Sequence, residues 1–575
     1  MNTSYESAVN SKAVLVLGRD IRAFLTTIRS LGRAGLAVHV GMCPADDLAL
    51  RSRYVAQYHD IPNYSDNPDL WLEVILVLIK QHQFELIIPT NDESVIPVQL
   101  HKLTLLRQCP VYALEDRVFE LAMDKIASSE LAEELGIPVP MQAQISVTSE
   151  SSALPDGFAY PVVIKPPSSF TTDDLDNRRE VHHIGSEQEF QKFLAANSSW
   201  ELALLQENFS GIGAGIEVLA DQGVILFAFQ HLRVHEPIEG GASSYRKSVP
   251  LDPGLLDATE RFLKALNYSG VAMVEYKLNP DTQKWVFIEI NARFWGSLPL
   301  AVAAGADFPL YLYQYLCENR RDFPQIYRSN IYSRNLLRDL YWMSDNIRAR
   351  LQKKHLSTTV PLNKVASEFI NVVTMREHID SFSLDDMSPA VGELKGILAL
   401  IFEKITRYVK TTVLSMAPVR RHMAKRIKSQ FNDANSVLFV CYGNICRSPF
   451  AEQCGIQQLG SKGRFYSSGF HQVDCRQSPE TAIVAAGKFA IDLSAHRSST
   501  ISADDVAQAD LIFVFDEKNQ LAFSNHFPGA KSKVHLLGYL LDSGPLEITD
   551  PYGGSEDEFE NIYSRIRTAI SNLAS

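Results

Sequence analysis

The stretch VLFVCYGNICRSP, residues 437–449, joins the pattern of a buried strand to a thiol and an arginine. Four apolar residues lead directly into Cys441, a short glycine-containing loop follows, and Arg447 precedes a sequence typical of a helix start. This layout places Cys441 at the C-terminal edge of a strand, where loop amides and a helix N-terminus can bind phosphate. Arg447 is expected to hold the phosphate oxygens through paired hydrogen bonds, and the same positive field favours the thiolate. Cys441 is therefore predicted to be a nucleophile.

A proton donor for the leaving group is predicted in the stretch ITDPYGG, residues 548–554. The proline and the two glycines indicate an exposed loop. Asp550 is the candidate general acid, and Tyr552 is placed to stack beside a substrate ring. The alternative is an ordinary turn aspartate before a proline.

Residues 434–575 resemble the low-molecular-weight protein tyrosine phosphatase family in these two stretches and in the order of the segments between them. The resemblance implies a doubly wound parallel-sheet domain that needs no cofactor. It also implies roles for individual residues: Cys441 as nucleophile, Arg447 as phosphate clamp, Ser448 as the hydroxyl that stabilises the thiolate, Asp550 as general acid, and Tyr442, Gly443, Asn444, Ile445 and Cys446 as the phosphate loop.

Two residues of the loop carry further expectations. Ile445 favours an aryl phosphate, because tyrosine-type members of the family carry isoleucine at this position and phosphoarginine-type members carry threonine. Cys446 either traps an oxidised Cys441 as a disulfide or simply packs in the core, and the sequence leaves both alternatives open.

Length and charge limit the possible classes of protein. A chain of 575 residues with 46% apolar side chains is expected to form three or four domains. The net charge of −12 argues against general nucleic-acid binding, which needs a concentrated basic surface. The first residues lack the features of a signal peptide, and no apolar segment has the length of a membrane span, so a cytoplasmic protein is expected. The cysteines are not spaced as metal ligands, and no structural zinc site is expected from them.

The beginning of the chain has the pattern of a doubly wound α/β domain. Residues 13–19 and 36–41 read as buried strands, residues 23–31 have helical spacing between them, and residues 84–89 form a further strand. A glycine-rich dinucleotide fingerprint is missing, so dinucleotide binding is not expected.

Two later strands carry the residues of a predicted metal site. Residues 270–277 contain Glu275, and residues 285–293 contain Glu289, Asn291 and Arg293. If these strands pair in antiparallel fashion, the two glutamates and the asparagine offer oxygen ligands suited to Mg²⁺. Arg293 is expected on the same strand face as Glu289 and Asn291, where it can stabilise charge on a transferring phosphoryl group.

Residues 12–325 resemble the ATP-grasp superfamily, in particular its carboxylate–amine ligases, through these residues and the lysines and carboxylates before them. The resemblance implies that Lys125 and Lys165 contact ATP phosphates, that Gln206 and Glu207 lie at the adenine and ribose, and that the metal is Mg²⁺. It implies a small-molecule carboxylate activated as an acyl phosphate and attacked by an amine. His231, Arg233 and residues 240–247 either line the acceptor pocket or form an ordinary strand pair with a polar loop.

The predicted division of the chain is a pre-ATP-grasp α/β domain at 12–120, an ATP-grasp domain at 121–325, a helical extension and linker at 326–433, and the phosphatase-like domain at 434–575. Within the linker, residues 395–428 combine an apolar run with basic residues. This segment is either an interfacial helix that contacts a membrane or, as we favour, a packed helix followed by a solvated linker.

The sequence thus predicts a bifunctional enzyme: an amide-forming ligase joined to a cysteine phosphatase that acts on a phosphorylated small molecule or on phosphotyrosine. The alternative is a regulatory tyrosine phosphatase whose ATP-grasp domain binds nucleotide as a sensor or scaffold.

Overall fold

The computed structural model describes residues 12–147, 153–171, 174–197, 200–237, 241–351, 359–374 and 376–574. The chain divides into two compact units, Met1–Ile397 and Leu398–Ser575, and each is described by itself. The N-terminal segment that was tested for a signal peptide lies outside the described residues, as does Gly240 of the predicted acceptor loop.

The first unit begins with a four-stranded parallel sheet of order β3-β2-β1-β4. Alternate side chains of β1 enter two different apolar cores, one on each face of the sheet, as a strand covered on both sides requires. The predicted opening of strand, helix and strand is confirmed. The elements are β1 Ala13–Leu17, α1 Ala23–Arg33, β2 Ala37–Gly41, β3 Val55–Tyr58, α2 Pro68–His82, β4 Leu86–Pro89, α3 Asp92–Leu100, α4 Lys102–Leu106, α5 Asp116–Met123 and α6 Lys125–Glu134.

A second, antiparallel sheet of order β5-β8-β6-β7 follows. It has a small core of its own, to which the helix α7 contributes Phe190 and Phe193. The elements are β5 Gln142–Ser146, β6 Val162–Lys165, β7 His182–Ile184, α7 Glu187–Ala196 and β8 Leu202–Glu207. The predicted lysine at a strand end, Lys165, is the last residue of β6.

A seven-stranded sheet of order β13-β12-β9-β10-β11-β14-β15 completes the first unit, and only the β14–β15 pair is parallel. Its elements are β9 Ile212–Asp221, β10 Val224–His235, β11 Tyr245–Val249, α8 Pro253–Ala265, β12 Gly270–Leu278, β13 Trp285–Asn291, α9 Leu298–Ala304, α10 Phe308–Cys317, β14 Tyr332–Arg334, α11 Leu336–Leu351, α12 Leu362–Val373, β15 Glu377–Ile379 and α13 Ser388–Ser415, the last of which contains the unit boundary.

Residues 326–397, the first part of the predicted helical extension and linker, lie in the first unit. This segment is mostly helical, as predicted, but β14 and β15 extend the sheet beyond β11. Buried ion pairs anchor it: Asp380 accepts two hydrogen bonds from Arg246, both of 2.6 Å, and Asp386 accepts one from Arg29 at 2.8 Å. These partners lie far apart in sequence, and the domain boundary at residue 325 stays a prediction.

The second unit contains a four-stranded parallel sheet of order β17-β16-β18-β19 with helices around it, the predicted doubly wound architecture. Its elements are α14 Ala417–Asp433, β16 Ser436–Cys441, α15 Arg447–Leu459, β17 Arg464–Gly469, α16 Glu480–Gly487, α17 Ala503–Gln508, β18 Leu511–Val514, α18 Glu517–His526, β19 Val534–Leu536 and α19 Glu556–Ala574. Short 3₁₀ helices in the chain cover Leu48–Arg51, Gly460–Lys462, Pro528–Lys533 and Leu537–Leu540.

The apolar run predicted in 395–428 lies on helix α13. Phe402 and Tyr408 are 72% and 74% exposed, whereas Arg420 on α14 is buried and donates to the carbonyl of Leu541. Among the described residues, no helix has both the length and the apolar character needed to cross a membrane. Contact of α13 with a membrane surface stays a prediction.

Candidate active sites

Cys441 ends strand β16 and faces the N-terminus of helix α15. The residue is buried, and its Sγ lies 3.0 Å from Ser448 Oγ. The backbone N–H of Asn444 donates to the same sulfur at 3.2 Å. The structure therefore brings the predicted nucleophile into contact with the predicted stabilising hydroxyl.

Asn444 holds the phosphate loop in shape. Its backbone has a φ of +50°, a left-handed conformation that asparagine tolerates better than most residues. Its Nδ2 donates to Ser448 Oγ and to Ser467 Oγ, each at 2.9 Å, and its Oδ1 accepts from the N–H of Ser499 at 2.9 Å. Asn444 thereby connects the loop to the next strand and fixes the hydroxyl that contacts the sulfur.

Arg447 is 1% exposed and lies between two carboxylates. It donates to Asp516 Oδ2 at 2.5 Å, to Asp550 Oδ2 at 2.6 Å and to the carbonyl of Ile548 at 2.9 Å. Burial opposes the charge, but Cys441 and the two aspartates raise the pKa of Arg447, so the guanidinium stays charged. Its Nε is buried and has no partner among the described residues. A buried donor of this kind indicates a place for a ligand oxygen.

The predicted general acid, Asp550, lies at the accessible edge of this site. Its side chain is 44% exposed and contacts Arg447, so it can meet both solvent and a group bound to the arginine. Tyr442 and Tyr552 are 58% and 67% exposed, in keeping with the predicted open loop around Tyr552.

The remaining loop residues have mainly packing contacts in this state. Ile445 packs against the core of the second unit, and the carbonyl of Gly443 accepts a hydrogen bond from Arg476 at 2.5 Å. Burial, reinforced by the neighbouring Cys441, raises the pKa of the Cys446 thiol well above its usual range. Both cysteines are free thiols here. The disulfide between them stays a prediction.

In the first unit, Glu275 and Glu289 lie directly opposite each other on β12 and β13, which confirms the predicted antiparallel pairing. Asn291 Nδ2 donates to Glu275 Oε1 at 3.2 Å and to Glu289 Oε1 at 3.4 Å. The three side chains therefore converge. Two carboxylates and one amide form an oxygen donor set that fits Mg²⁺, once the amide turns its own oxygen inward.

Two lysines surround Glu289. Lys125 donates to Glu289 Oε2 at 2.9 Å, and Lys165 donates to the carbonyl of Ile288 at 3.3 Å. Burial acts to raise the pKa of Glu289, but Lys125 and Lys165 hold it well below its usual range. Burial lowers the pKa of Lys165 to about 8, although Glu289 acts in the opposite direction. Two cations beside this carboxylate form a surface suited to phosphate oxygens.

Arg293 lies beyond the end of β13 rather than on its face. Its Nε and one terminal nitrogen donate to the two oxygens of Asp92 at 2.5 Å and 2.8 Å, and another nitrogen donates to the carbonyl of Phe294 at 2.8 Å. Asp92 therefore fixes the orientation of the guanidinium. The predicted catalytic role of Arg293 stays a prediction.

Gln206 and Glu207 form the end of β8, as the adenine-binding prediction requires. Gln206 is buried and donates to Gln142 Oε1 at 3.1 Å. The carboxylate of Glu207 accepts from the N–H of Met141 at 3.1 Å. Their contact with a nucleotide stays a prediction.

Part of the segment predicted to line the acceptor pocket forms an ordinary strand pair, because β10 and β11 are antiparallel neighbours. Arg233 nevertheless reaches the predicted metal site and donates to Glu275 Oε2 at 2.5 Å. His231 is buried and contacts Glu217 Oε1 at 2.6 Å. Glycine is required at two positions of β9: a Cβ on Gly213 would lie 2.4 Å from Arg233 Cδ, and one on Gly215 2.4 Å from His231 Cε1.

A group of arginines lies beside the loop that follows Arg293. Arg246 donates to the carbonyl of Gly296 at 2.8 Å, and a Cβ on Gly296 would lie 2.6 Å from a terminal nitrogen of Arg22. Burial, together with the charges of Arg22 and Arg246, lowers the pKa of Arg338 to about 10. The Arg338 guanidinium makes no hydrogen bond within the described part of the chain. Crowded positive charges of this kind favour an anionic ligand.

Sequence reasoning missed several of these residues. Asp516 and Asp92 clamp the two arginines, and Arg22 and Arg338 were not singled out. The sequence position of three of them could have indicated a site. Arg22, Asp92 and Asp516 each follow shortly after a buried parallel strand, and the carboxyl ends of such strands meet at one edge of a sheet. No local signal marks Arg338.

Comparisons with known proteins found two family matches in different parts of the chain. Residues 436–575 match the family described as low molecular weight phosphotyrosine protein phosphatase, and residues 254–313 match the carbamoyl-phosphate synthase L chain, ATP binding domain. A probable low molecular weight protein-tyrosine-phosphatase, AmsI, of Erwinia amylovora is 33% identical over 135 residues, which are 24% of this chain and 92% of that protein.

The chain is also similar to a mammalian phosphatase and to a bacterial ligase structure. The low molecular weight phosphotyrosine protein phosphatase of Sus scrofa is 33% identical over 138 residues, 23% of this chain and 87% of that protein. The crystal structure of an L-amino acid ligase from Bacillus licheniformis is similar to 54% of this chain over 74% of its own, with 15% identity and a TM-score of 0.42. The match over residues 254–313 lies within the first unit, and the assignment of that unit to the ATP-grasp superfamily stays a prediction. Through residues 436–575, the chain belongs to the low molecular weight protein tyrosine phosphatase family.

Proposed function

We propose that the chain is a bifunctional enzyme, an ATP-dependent carboxylate–amine ligase joined to a cysteine-dependent phosphatase. The ligase half would comprise the proposed domains 12–120 and 121–325, with residues 326–397 packed onto them, and the phosphatase half residues 434–575. The observation that carries the ligase proposal is the convergence of Glu275, Glu289 and Asn291 beside Lys125 and Lys165. Oxygen ligands next to buried cations suit a metal-bound nucleotide triphosphate.

In the ligase reaction, ATP would transfer its γ-phosphoryl group to a substrate carboxylate, giving ADP and an acyl phosphate. An amine would then attack the acyl carbon, and inorganic phosphate would leave as the amide forms and the nitrogen loses a proton. Mg²⁺, held by Glu275, Glu289 and Asn291, would offset the charge of the phosphates. Lys125 and Lys165 would bind phosphate oxygens, and Arg293, oriented by Asp92, would stabilise charge on the transferring group.

The acceptor side of the ligase would take an anionic substrate. Arg22, Arg246 and Arg338 lie close to the loop that carries Arg293, and a guanidinium recognises a carboxylate through paired hydrogen bonds. Arg246 is already paired with Asp380, whereas the guanidinium of Arg338 makes no hydrogen bond within the described residues. Arg338 is therefore the proposed contact for a carboxylate of the substrate.

In the phosphatase reaction, the Cys441 thiolate would attack phosphorus, forming the S–P bond while the P–O bond of the ester breaks. Asp550 would give its proton to the leaving oxygen, and later take one from the water that hydrolyses the phosphocysteine. Arg447 would bind the phosphate oxygens, with its unpartnered Nε as one donor. Ile445 and the exposed Tyr442 and Tyr552 support an aryl phosphate, although a phosphorylated small molecule from the ligase pathway suits the same chemistry.

The ligase is tested with the full chain carrying Cys441→Ser, which removes phosphatase background. Mg²⁺, ATP and pooled carboxylates are incubated with hydroxylamine, which traps acyl phosphates as coloured hydroxamates whatever the natural amine is. Substrate-dependent ADP and hydroxamate that both disappear in Glu289→Ala would establish the ligase.

ATP binding without ADP formation from any pool would contradict the ligase proposal and favour the regulatory alternative, in which the first unit senses nucleotide. The phosphatase is tested separately, by comparing phosphotyrosine peptides with phosphorylated ligation products as substrates of the unaltered chain. A preference for the peptides would place the phosphatase in signalling rather than in the ligase pathway.

A further inference from the structure

Three histidines from three different elements meet beside the N-terminal sheet. His39 lies on β2, His59 follows β3, and His82 is the last residue of helix α2. His39 and His59 are buried, and His82 is half-buried. None of them belongs to either site described above, and none was singled out in the sequence, where they are about twenty residues apart.

The rings form a nearly equilateral triangle. Their centroids are separated by 5.2 Å for His39 and His59, 4.6 Å for His39 and His82, and 5.0 Å for His59 and His82. One nitrogen of each ring lies within 4.8 Å of the others, and His39 Nδ1 and His59 Nε2 are 2.9 Å apart. Three imidazoles on a tetrahedral zinc ion, with Zn–N bonds of about 2.0–2.1 Å, place their nitrogens roughly 3.3 Å apart. Small ring rotations would reach that geometry.

Within the described part of the chain, no other side chain or backbone group forms a hydrogen bond with the ring nitrogens of these histidines. Among the described residues, the contact between His39 and His59 is the only hydrogen bond that their ring nitrogens or those of His82 make. Phe84 packs against the rings of His39 and His82 and contributes no polar group. Imidazole nitrogens are the commonest metal ligands in proteins.

The surroundings also favour a cation. His82 lies in the last turn of α2, where unpaired carbonyl groups give the helix end a partial negative charge. Nitrogen donors suit zinc and similar transition metals, whereas Mg²⁺ and Ca²⁺ prefer oxygen. Three histidines leave one tetrahedral position for water, and the half-buried His82 lies on the side from which water can enter.

We propose that His39, His59 and His82 form a binding site for a divalent transition metal ion, with Zn²⁺ as the ion that the donor set suits best. The ion would fasten the end of α2 to the edge of the sheet at β2 and β3. The site is independent of the proposed ligase and phosphatase activities, because none of its residues takes part in either.

The test uses the full chain, stripped of metal with a chelator and then dialysed against Zn²⁺. Bound zinc is counted by mass spectrometry for the unaltered chain, for His39→Gln/His82→Gln and for the matched control His422→Gln, an exposed histidine on α14. The double variant should lose about one zinc per chain, and the control none. The Co²⁺-loaded chain should show the visible absorption of a tetrahedral site, and the double variant should lack it.

Equal zinc content in the unaltered chain and in the double variant would overturn the proposal, as would a Co²⁺ spectrum that survives the substitutions. Zinc held by the thiols or by the glutamates of the ligase site would remain in both proteins and cancel in the comparison. If the double variant does not fold, as judged by circular dichroism in metal-free buffer, His82→Gln alone replaces it, because its side chain is half-buried and its loss removes one ligand.

Discussion

The affinity of the proposed ligase site for Mg²⁺-ATP should fall as the pH rises from 7 to 9, because Lys165 loses its charge. This lysine is 5% exposed, and burial lowers its pKa to about 8, against the opposing effect of Glu289. A lysine with this pKa is mostly charged at pH 7 and mostly neutral at pH 9. Phosphate binds the charged form, so above the pKa each binding event must take up a proton.

The magnitude follows from the fraction of charged lysine. With a pKa of about 8, that fraction falls from about nine-tenths at pH 7 to about one-tenth at pH 9, so the dissociation constant should rise about tenfold. Lys277 is the other lysine in this region whose pKa is lowered by burial. Lys277→Arg therefore serves as the matched variant that tests whether the effect belongs to Lys165.

The assay is calorimetric titration of Mg²⁺-ATP into the Cys441→Ser chain across this pH range. Lys165→Arg should bind with nearly constant affinity, because a guanidinium stays charged throughout, whereas Lys277→Arg should keep the pH dependence of the unaltered site. A pH-independent affinity of the unaltered site would refute the reasoning. So would a tenfold change that persists in Lys165→Arg and disappears in Lys277→Arg.

Three further results are expected. Asp550→Asn should lower phosphatase turnover by about 10²–10⁴-fold for esters with poor leaving groups and much less for p-nitrophenyl phosphate, whose leaving oxygen needs no proton; equal losses on both substrates would contradict a general-acid role. Asn444→Ala removes both Nδ2 hydrogen bonds and leaves alanine at a φ of +50°, so turnover should fall while substrate affinity weakens less; steady-state kinetics that match the unaltered chain would contradict its positioning role. Asp380→Asn leaves Arg246 buried without its counter-ion and should destabilise the first unit by about 3–5 kcal/mol in urea unfolding, whereas the exposed Asp281→Asn should have little effect; equal midpoints would show that the pair contributes nothing.

The phosphatase site was largely predictable because its chemistry is local. Cys441, Asn444, Arg447 and Ser448 lie within one strand–loop–helix segment, where sequence spacing almost determines distance in space. The pairing of Glu275 with Glu289 was predictable for a related reason, since two strands close in sequence form neighbours in the sheet. In both cases, the residues are close in sequence, so the chain has few ways to place them relative to one another.

The contacts that hold residues 326–397 in the first unit were not predictable in the same way. The sequence pattern of the helices in residues 326–397 does not indicate which other segment they pack against. Buried ion pairs, such as Asp380 with Arg246 and Asp386 with Arg29, connect them to the rest of the first unit. The two members of each pair are separated by more than a hundred residues, so no spacing rule connects them.

The sequence by itself determined that residues 436–575 form a domain of the tyrosine phosphatase family, and it predicted the nucleophile and its loop. Strand and helix periodicity depend on residues a few positions apart, so these features are encoded locally. Only the tertiary structure decided that Asp516 and Asp92 orient the two arginines, that Lys165 is buried enough to lower its pKa, and that three distant histidines meet. Burial and charge contacts depend on distances in space, which arise only when remote segments pack together.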